Sequence, residues 1–202
     1  MRTKIIAWLA LAVCFASALV SSAEPLSPVV SRSGEGYELK LPAAVKAALT
    51  TFNPRFQAWK ATDYAPEVRH GAFQEKLKNR APFALVMDVN RDGKDDLILD
   101  GHDDSKSLLI GVLSKGSNYE VSIIREAELV DPQTLECQFE GRKEHGFAYY
   151  LWLSENRNPD APSFSLAWPQ QSSASGELLN DGGILDFYFK AGRFEAGESI
   201  PL

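Results

Sequence analysis

A chain of 202 residues, 45% hydrophobic and 24% charged, is long enough for one domain with a proper interior. Its formal net charge of −6 disfavours nucleic acid and other polyanions as partners. The chain shows no internal repeat, so a closed propeller is excluded.

The N-terminus, MRTKIIAWLALAVCFASALVSSA, carries Arg2 and Lys4, then an apolar run from Ile5 to Val20 broken only by Ser17, then Ser21 and Ala23. That order of charge, apolar run and small residues predicts a secretory signal peptide over residues 1–23, cleaved after Ala23. A membrane span needs about 20 apolar residues, more than this run supplies. A lipoprotein signal using Cys14 is a rival, but Val13 is bulkier than the small residue expected before the modified cysteine. Cleavage predicts an extracytoplasmic protein, periplasmic or secreted, with 19 basic and 27 acidic residues, near −8. Only Cys137 survives in it, so no intramolecular disulfide forms and the fold stands on its core.

Residues 24–36, EPLSPVVSRSGEG, read as a flexible lead-in, and residues 37–202 as a single α+β domain. Val45, Ala48, Leu49 and Phe52 fall at helical spacing behind Pro42, which suits a first helical turn. Asn53-Pro54 reads as a helix restart carrying Phe56 and Trp59, and Pro66 to Asn79 as a third helix turning Val68, Ala72, Phe73 and Leu77 inward. The period then changes. APFALVMDV alternates, with Phe83, Leu85 and Met87 on one side, and DDLILD, SLLIGVLS and YEVSIIREAELV follow as short strands. GFAYYLWLS sets Phe147, Tyr149, Leu151 and Leu153 on one face, and GILDFYFK joins RFEAGE through a tight Ala191-Gly192 turn. Residues 154–180 have no clean period and read as a functional or partly disordered loop, or as a stretch hiding a strand, for which SFSLAW is the best candidate. The expected architecture is an N-terminal helical layer packed on a mainly antiparallel β-sheet.

Between FALVM and LIL lies DVNRDGKDD, residues 88–96, with four acidic side chains and an Asn around one Gly. Asp88, Asn90, Asp92, Lys94 and Asp96 occupy positions 1, 3, 5, 7 and 9 of a loop turning at Gly93. Hard cations such as Ca²⁺ take six to eight oxygen ligands, and alternate residues of a tight loop aim oxygens at a common centre. The Lys94 ligand would be its backbone carbonyl, and Asp96 would close the cage from the far side. Carboxylates this close repel one another without a cation, so the pattern predicts a Ca²⁺ site. A complete EF-hand is excluded, because position 12 is Leu99 rather than Glu and a strand follows.

The strand, D-x-N-x-D-G-x-x-D, strand arrangement resembles the calcium loops of FG-GAP/VCBS repeats. The resemblance covers about Phe83 to Leu113 in a single copy, without the Phe-Gly and Gly-Ala-Pro elements of those repeats. It implies coordination by Asp88, Asn90, Asp92, the Lys94 carbonyl and Asp96, with the flanking strands forming a hairpin.

A second cluster, Asp100, His102, Asp103 and Asp104, reads as the polar turn linking LILD to SLLIGVL. His70 and His145 stand apart without ligand spacing and read as surface or helix-end residues. No nucleophile elbow or phosphate loop is present. Glu126, Glu128, Glu140 and Glu144 could supply a general acid and base but read as solvent-facing residues flanking exposed strands, and Trp152 and Trp168 read as core before they read as a sugar platform. The expectation is an exported, calcium-binding, non-catalytic domain. A small exported hydrolase of cell-wall or sugar polymers, with structural Ca²⁺, is the alternative.

Overall fold

The computed structural model describes residues 25–34, 36–70, 80–139, 141–153, 162–171, 178–197 and 200–201. The expected export signal with Cys14, the positions Ala72, Phe73 and Leu77, Glu140, and residues 154–161 and 172–177 lie outside them. Among the described residues no helix is long and apolar enough to cross a membrane.

The described chain is mainly antiparallel β-sheet with two short helices, so the expected N-terminal helical layer is corrected. Part of the expected lead-in is a strand: β1 (Val29–Ser33) pairs antiparallel with β2 (Gly36–Lys40). Helix α1 (Ala43–Phe52) follows, burying Val45 and packing Leu49 and Phe52 on the core as their spacing predicts. It ends at Asn53, whose backbone is extended. No helix restarts there. Asn53 Oδ1 accepts the Arg55 N–H at 3.0 Å and its Nδ2 donates to Asp103 at 2.9 Å, giving the backbone a turn in place of a helical ladder. The chain leaves that turn as a short strand, β3 (Gln57–Ala58), and Trp59 is buried beyond it. Of the third expected helix, α2 (Pro66–His70) is described, with Val68 fully buried and His70 in its last turn.

The first sheet contains β4 (Ala84–Met87), β5 (Asp96–His102), β6 (Lys106–Lys115) and β7 (Asn118–Glu128). Its order is β3-β5-β6-β7, and β4 shares the β3 edge of β5. The predicted hairpin around the acidic loop is present, in the register Ala84↔Leu99 to Met87↔Asp96. Period-2 alternation divides this sheet's side chains between two clusters. Leu97, Leu99, Ile110 and Val112 pack toward Val45, Trp59 and Tyr64. Leu85, Ile98 and Leu109 pack against Leu151, Phe164, Leu166 and Phe187 of the second sheet. Phe83 and Leu85 therefore part company, Phe83 joining the first cluster because regular strand begins only at Ala84.

A small hairpin of β8 (Glu136–Phe139) and β9 (Arg142–His145) precedes the second sheet. That sheet contains β10 (Tyr150–Leu153), β11 (Ser163–Gln171), β12 (Leu178–Lys190), β13 (Arg193–Ala196) and β14 (Ile200–Pro201). They run in the order β10-β11-β12-β13, with β14 also on β12. SFSLAW lies in β11, the hidden strand. Ala191 and Gly192, at φ 51° and 84°, make the β12–β13 turn, matching the paired positive φ of the tight hairpin expected there. The two sheets approach closely at Gly111, where a Cβ would meet the Phe194 ring at 2.5 Å.

Candidate metal centre

The acidic loop spans the eight residues from Asp88 to Asp95, between the last pair of the β4–β5 ladder. Arg91 and Gly93 take φ of 61° and 81°, the left-handed conformation that curls the chain back on itself. The side chains of positions 1, 3 and 5 hold this curl. Asp88 accepts the N–H of Asp92 at 3.0 Å and of Gly93 at 2.9 Å, one on each carboxylate oxygen. Asn90 Oδ1 also accepts the Asp92 N–H at 3.0 Å, and Asp92 Oδ1 accepts the Lys94 N–H at 3.0 Å. Three of the five sequence-predicted residues are thereby gathered by their own local backbone.

Strand β6 and the turn after it add partners that the loop's sequence does not announce. Ser114 Oγ donates to Asp92 Oδ2 at 2.6 Å, the Ser114 carbonyl accepts from Asn90 Nδ2 at 3.1 Å, and the Lys94 ammonium donates to the Gly116 carbonyl. The Ser114 hydroxyl is the main cause that lowers the Asp92 pKa, keeping this exposed carboxylate ionised.

Asp96 behaves differently. It is fully buried, and its oxygens accept three backbone N–H groups: Val89 at 2.9 Å, Asn90 at 3.1 Å and Ser114 at 2.6 Å. Burial raises its pKa against the lowering effect of those bonds. A carboxylate offers about four acceptor sites, so Asp96 has committed three of them to the backbone, whereas Asp88 and Asp92 each keep about half. Asp96 therefore forms the floor that ties β4, the loop and β6 together, rather than the far wall of a cage. Among the described residues no three His, Cys, Asp or Glu side chains converge as a metal-binding group. The side-chain donors that the curl gathers are two carboxylates and an amide oxygen. This all-oxygen set fits a hard cation and no soft one.

The second cluster is mostly a turn, as expected. Asp103 Oδ1 accepts the N–H groups of Ser105 at 2.7 Å and Lys106 at 2.9 Å, and these bonds lower its pKa to about 2. Asp104 pairs with Arg55 at 3.1 Å on the surface, and His102 stacks on Trp59 with ring centroids 4.1 Å apart. Asp100 departs from the group. It is buried, accepts the Tyr64 hydroxyl at 2.8 Å, and is also hydrogen-bonded by Tyr149. Burial raises its pKa to about 7, against the lowering effect of both hydroxyls. Burial, and next the Asp100 charge, raise both tyrosines well above their usual range, so they remain protonated donors. An acid closing an apolar run at an inward position is the one signal in LILDGH that points to this arrangement.

Two of the other candidate carboxylates have structural partners. Glu126 pairs with Lys106, and buried Glu144 accepts the Glu67 N–H at 3.0 Å. His145 is exposed, Trp152 packs on the core and Trp168 is half-exposed. Comparison with protein-family models, curated sequences and solved structures finds no match to this chain.

Proposed function

We propose that this chain is an exported, non-catalytic domain that binds Ca²⁺ at the β4–β5 loop. Asp88, Asn90, Asp92 and the Lys94 carbonyl supply the protein ligands, and water completes the shell. The observation that carries this reading is the local curl that gathers Asp88, Asn90 and Asp92 while leaving spare acceptor sites on both carboxylates. Asp96 supports the loop from beneath through its three N–H bonds. Bound Ca²⁺ would neutralise the paired charges and pin the loop to β6 through Asp92 and Ser114, stabilising that end of the sheet.

Melting curves in calcium and in chelator test the proposal. Two carboxylates place the site at the weak, extracellular end of the calcium scale, with Kd of about 0.1–1 mM. Millimolar calcium should then stabilise the fold by about 1 kcal/mol. Asp88→Ala and Asp92→Ala should abolish the calcium response. Identical melting of the unaltered protein in both conditions would leave a solvated turn in place of a metal site.

A further inference from the structure

At the opposite end of β5 from the acidic loop, a cavity of about 420 Å³ lies over β6 and β7. That volume falls within the roughly 300–1,000 Å³ of small-ligand sites. Its walls include Leu109, Leu135, Phe147 and Leu166, with half-exposed Trp168 and Val130 lining it as well. The polar groups converge on one side. Asp100 pairs with Leu109, and Leu109 with Arg125, so the three side chains project from the same face of the sheet. A register shift in the β6–β7 ladder, between Leu109 and Ile110, lies next to that row.

The chemistry of the floor selects a ligand class. Asp100 is already satisfied by Tyr64, Tyr149 and the Gly101 N–H, and below neutral pH burial keeps it largely uncharged. Arg125 is exposed, and its charge acts on Asp100 and Tyr149 at the cavity floor. Glu126, across the ladder from Leu108, is already paired with Lys106. A guanidinium fork thus stands at the edge of a largely apolar cavity that Glu128 also lines, and that fork matches a carboxylate in a bidentate pair.

We propose that this cavity binds a small monocarboxylate with an aliphatic or aromatic body, its carboxylate on Arg125 and its body between Leu109, Leu166 and Trp168. The site is independent of the calcium loop, and its test is run in chelator so that the two readings fail separately. Octanoate and 3-phenylpropanoate are titrated into the signal-free protein, followed by calorimetry and by chemical-shift changes. Both should saturate, and octanamide should bind about tenfold more weakly or worse, since a hydrogen bond to a charged group is worth at least that factor. Arg125→Gln should weaken octanoate by a similar factor, and Arg125→Lys by less. Ala127 lines the cavity two residues from Arg125 on the same face, so Ala127→Trp should plug it and abolish binding. Arg125 and Ala127 are both exposed, so these variants should fold, and their melting temperatures check it. Absence of saturation for both acids up to about 10 mM would overturn the proposal. So would octanamide binding as tightly as octanoate, or binding unchanged in Arg125→Gln and Ala127→Trp.

Discussion

Replacing Asp100 with Asn removes a titrating group from the interior while keeping its shape and one carbonyl acceptor for the Tyr64 hydroxyl. The native pKa of Asp100 is about 7 against an ordinary 3.8, because its carboxyl is buried. A raised native pKa means that the folded state holds the proton more tightly than the unfolded state. This contribution is therefore complete below about pH 4 and is lost as pH rises through about 7. About three pKa units at 1.36 kcal/mol each make the loss about 4 kcal/mol. The Asn variant never ionises, but it exchanges one acceptor oxygen for a donor facing Tyr149, costing about 1 kcal/mol. It should be less stable than the unaltered protein in acid, equal it between about pH 4 and 5, and exceed it by about 3 kcal/mol at about pH 8. For a chain of this size that corresponds to a melting temperature higher by about 6–12 °C. Urea unfolding of both proteins at several pH values reads the difference directly, because Tyr64 and Tyr149, whose titration Asp100 shifts, stay protonated across this range. A difference that does not change with pH would refute the reasoning. A variant that loses ground as pH rises would show instead that Asp100 is ionised and held by Arg125.

Asp96→Ala strands three backbone N–H groups beneath the loop and should destabilise by about 3 kcal/mol or more in calcium and in chelator alike, read by urea midpoint. Asp95→Ala should shift the midpoint by less than about 0.5 kcal/mol, since Asp95 is an exposed loop residue. Gly111→Ala drives a methyl into the Phe194 ring at 2.5 Å and should cost about 1–3 kcal/mol, relieved by a second change of Phe194 to Leu. N-terminal sequencing of protein recovered outside the cytoplasm should begin at Glu24. A lipid-modified Cys14 at that terminus would replace the expected cleavage after Ala23 with a lipid anchor.

What could be read along the chain is what neighbours in sequence decide. Strands β4 to β7, β10, β12 and β13, the Ala191-Gly192 turn and the curl at Asp88, Asn90 and Asp92 all depend on periodicity, or on hydrogen bonds that reach at most five residues, whereas the β8–β9 hairpin carries no such local signal. Helix α1 was legible for the same reason, since its apolar stripe and Pro42 are local signals. Its successor was not, because Asn53 is engaged by Asp103, fifty residues away. Val29–Ser33 looked like a lead-in because a two-stranded hairpin is stable only when something covers it, and that covering comes from the rest of the chain. Asp96 read as a fifth ligand by its spacing, yet one of its carboxylate oxygens accepts the N–H of Ser114, eighteen residues on across the β5–β6 ladder. Asp100 and Tyr64 are thirty-six residues apart, and only the packing of β5 against the Tyr64 segment brings them together. Local pattern determined which residues turn and which extend. Register between strands decided which carboxylates face water and which are buried, because a ladder assigns faces by pairs that no single segment contains.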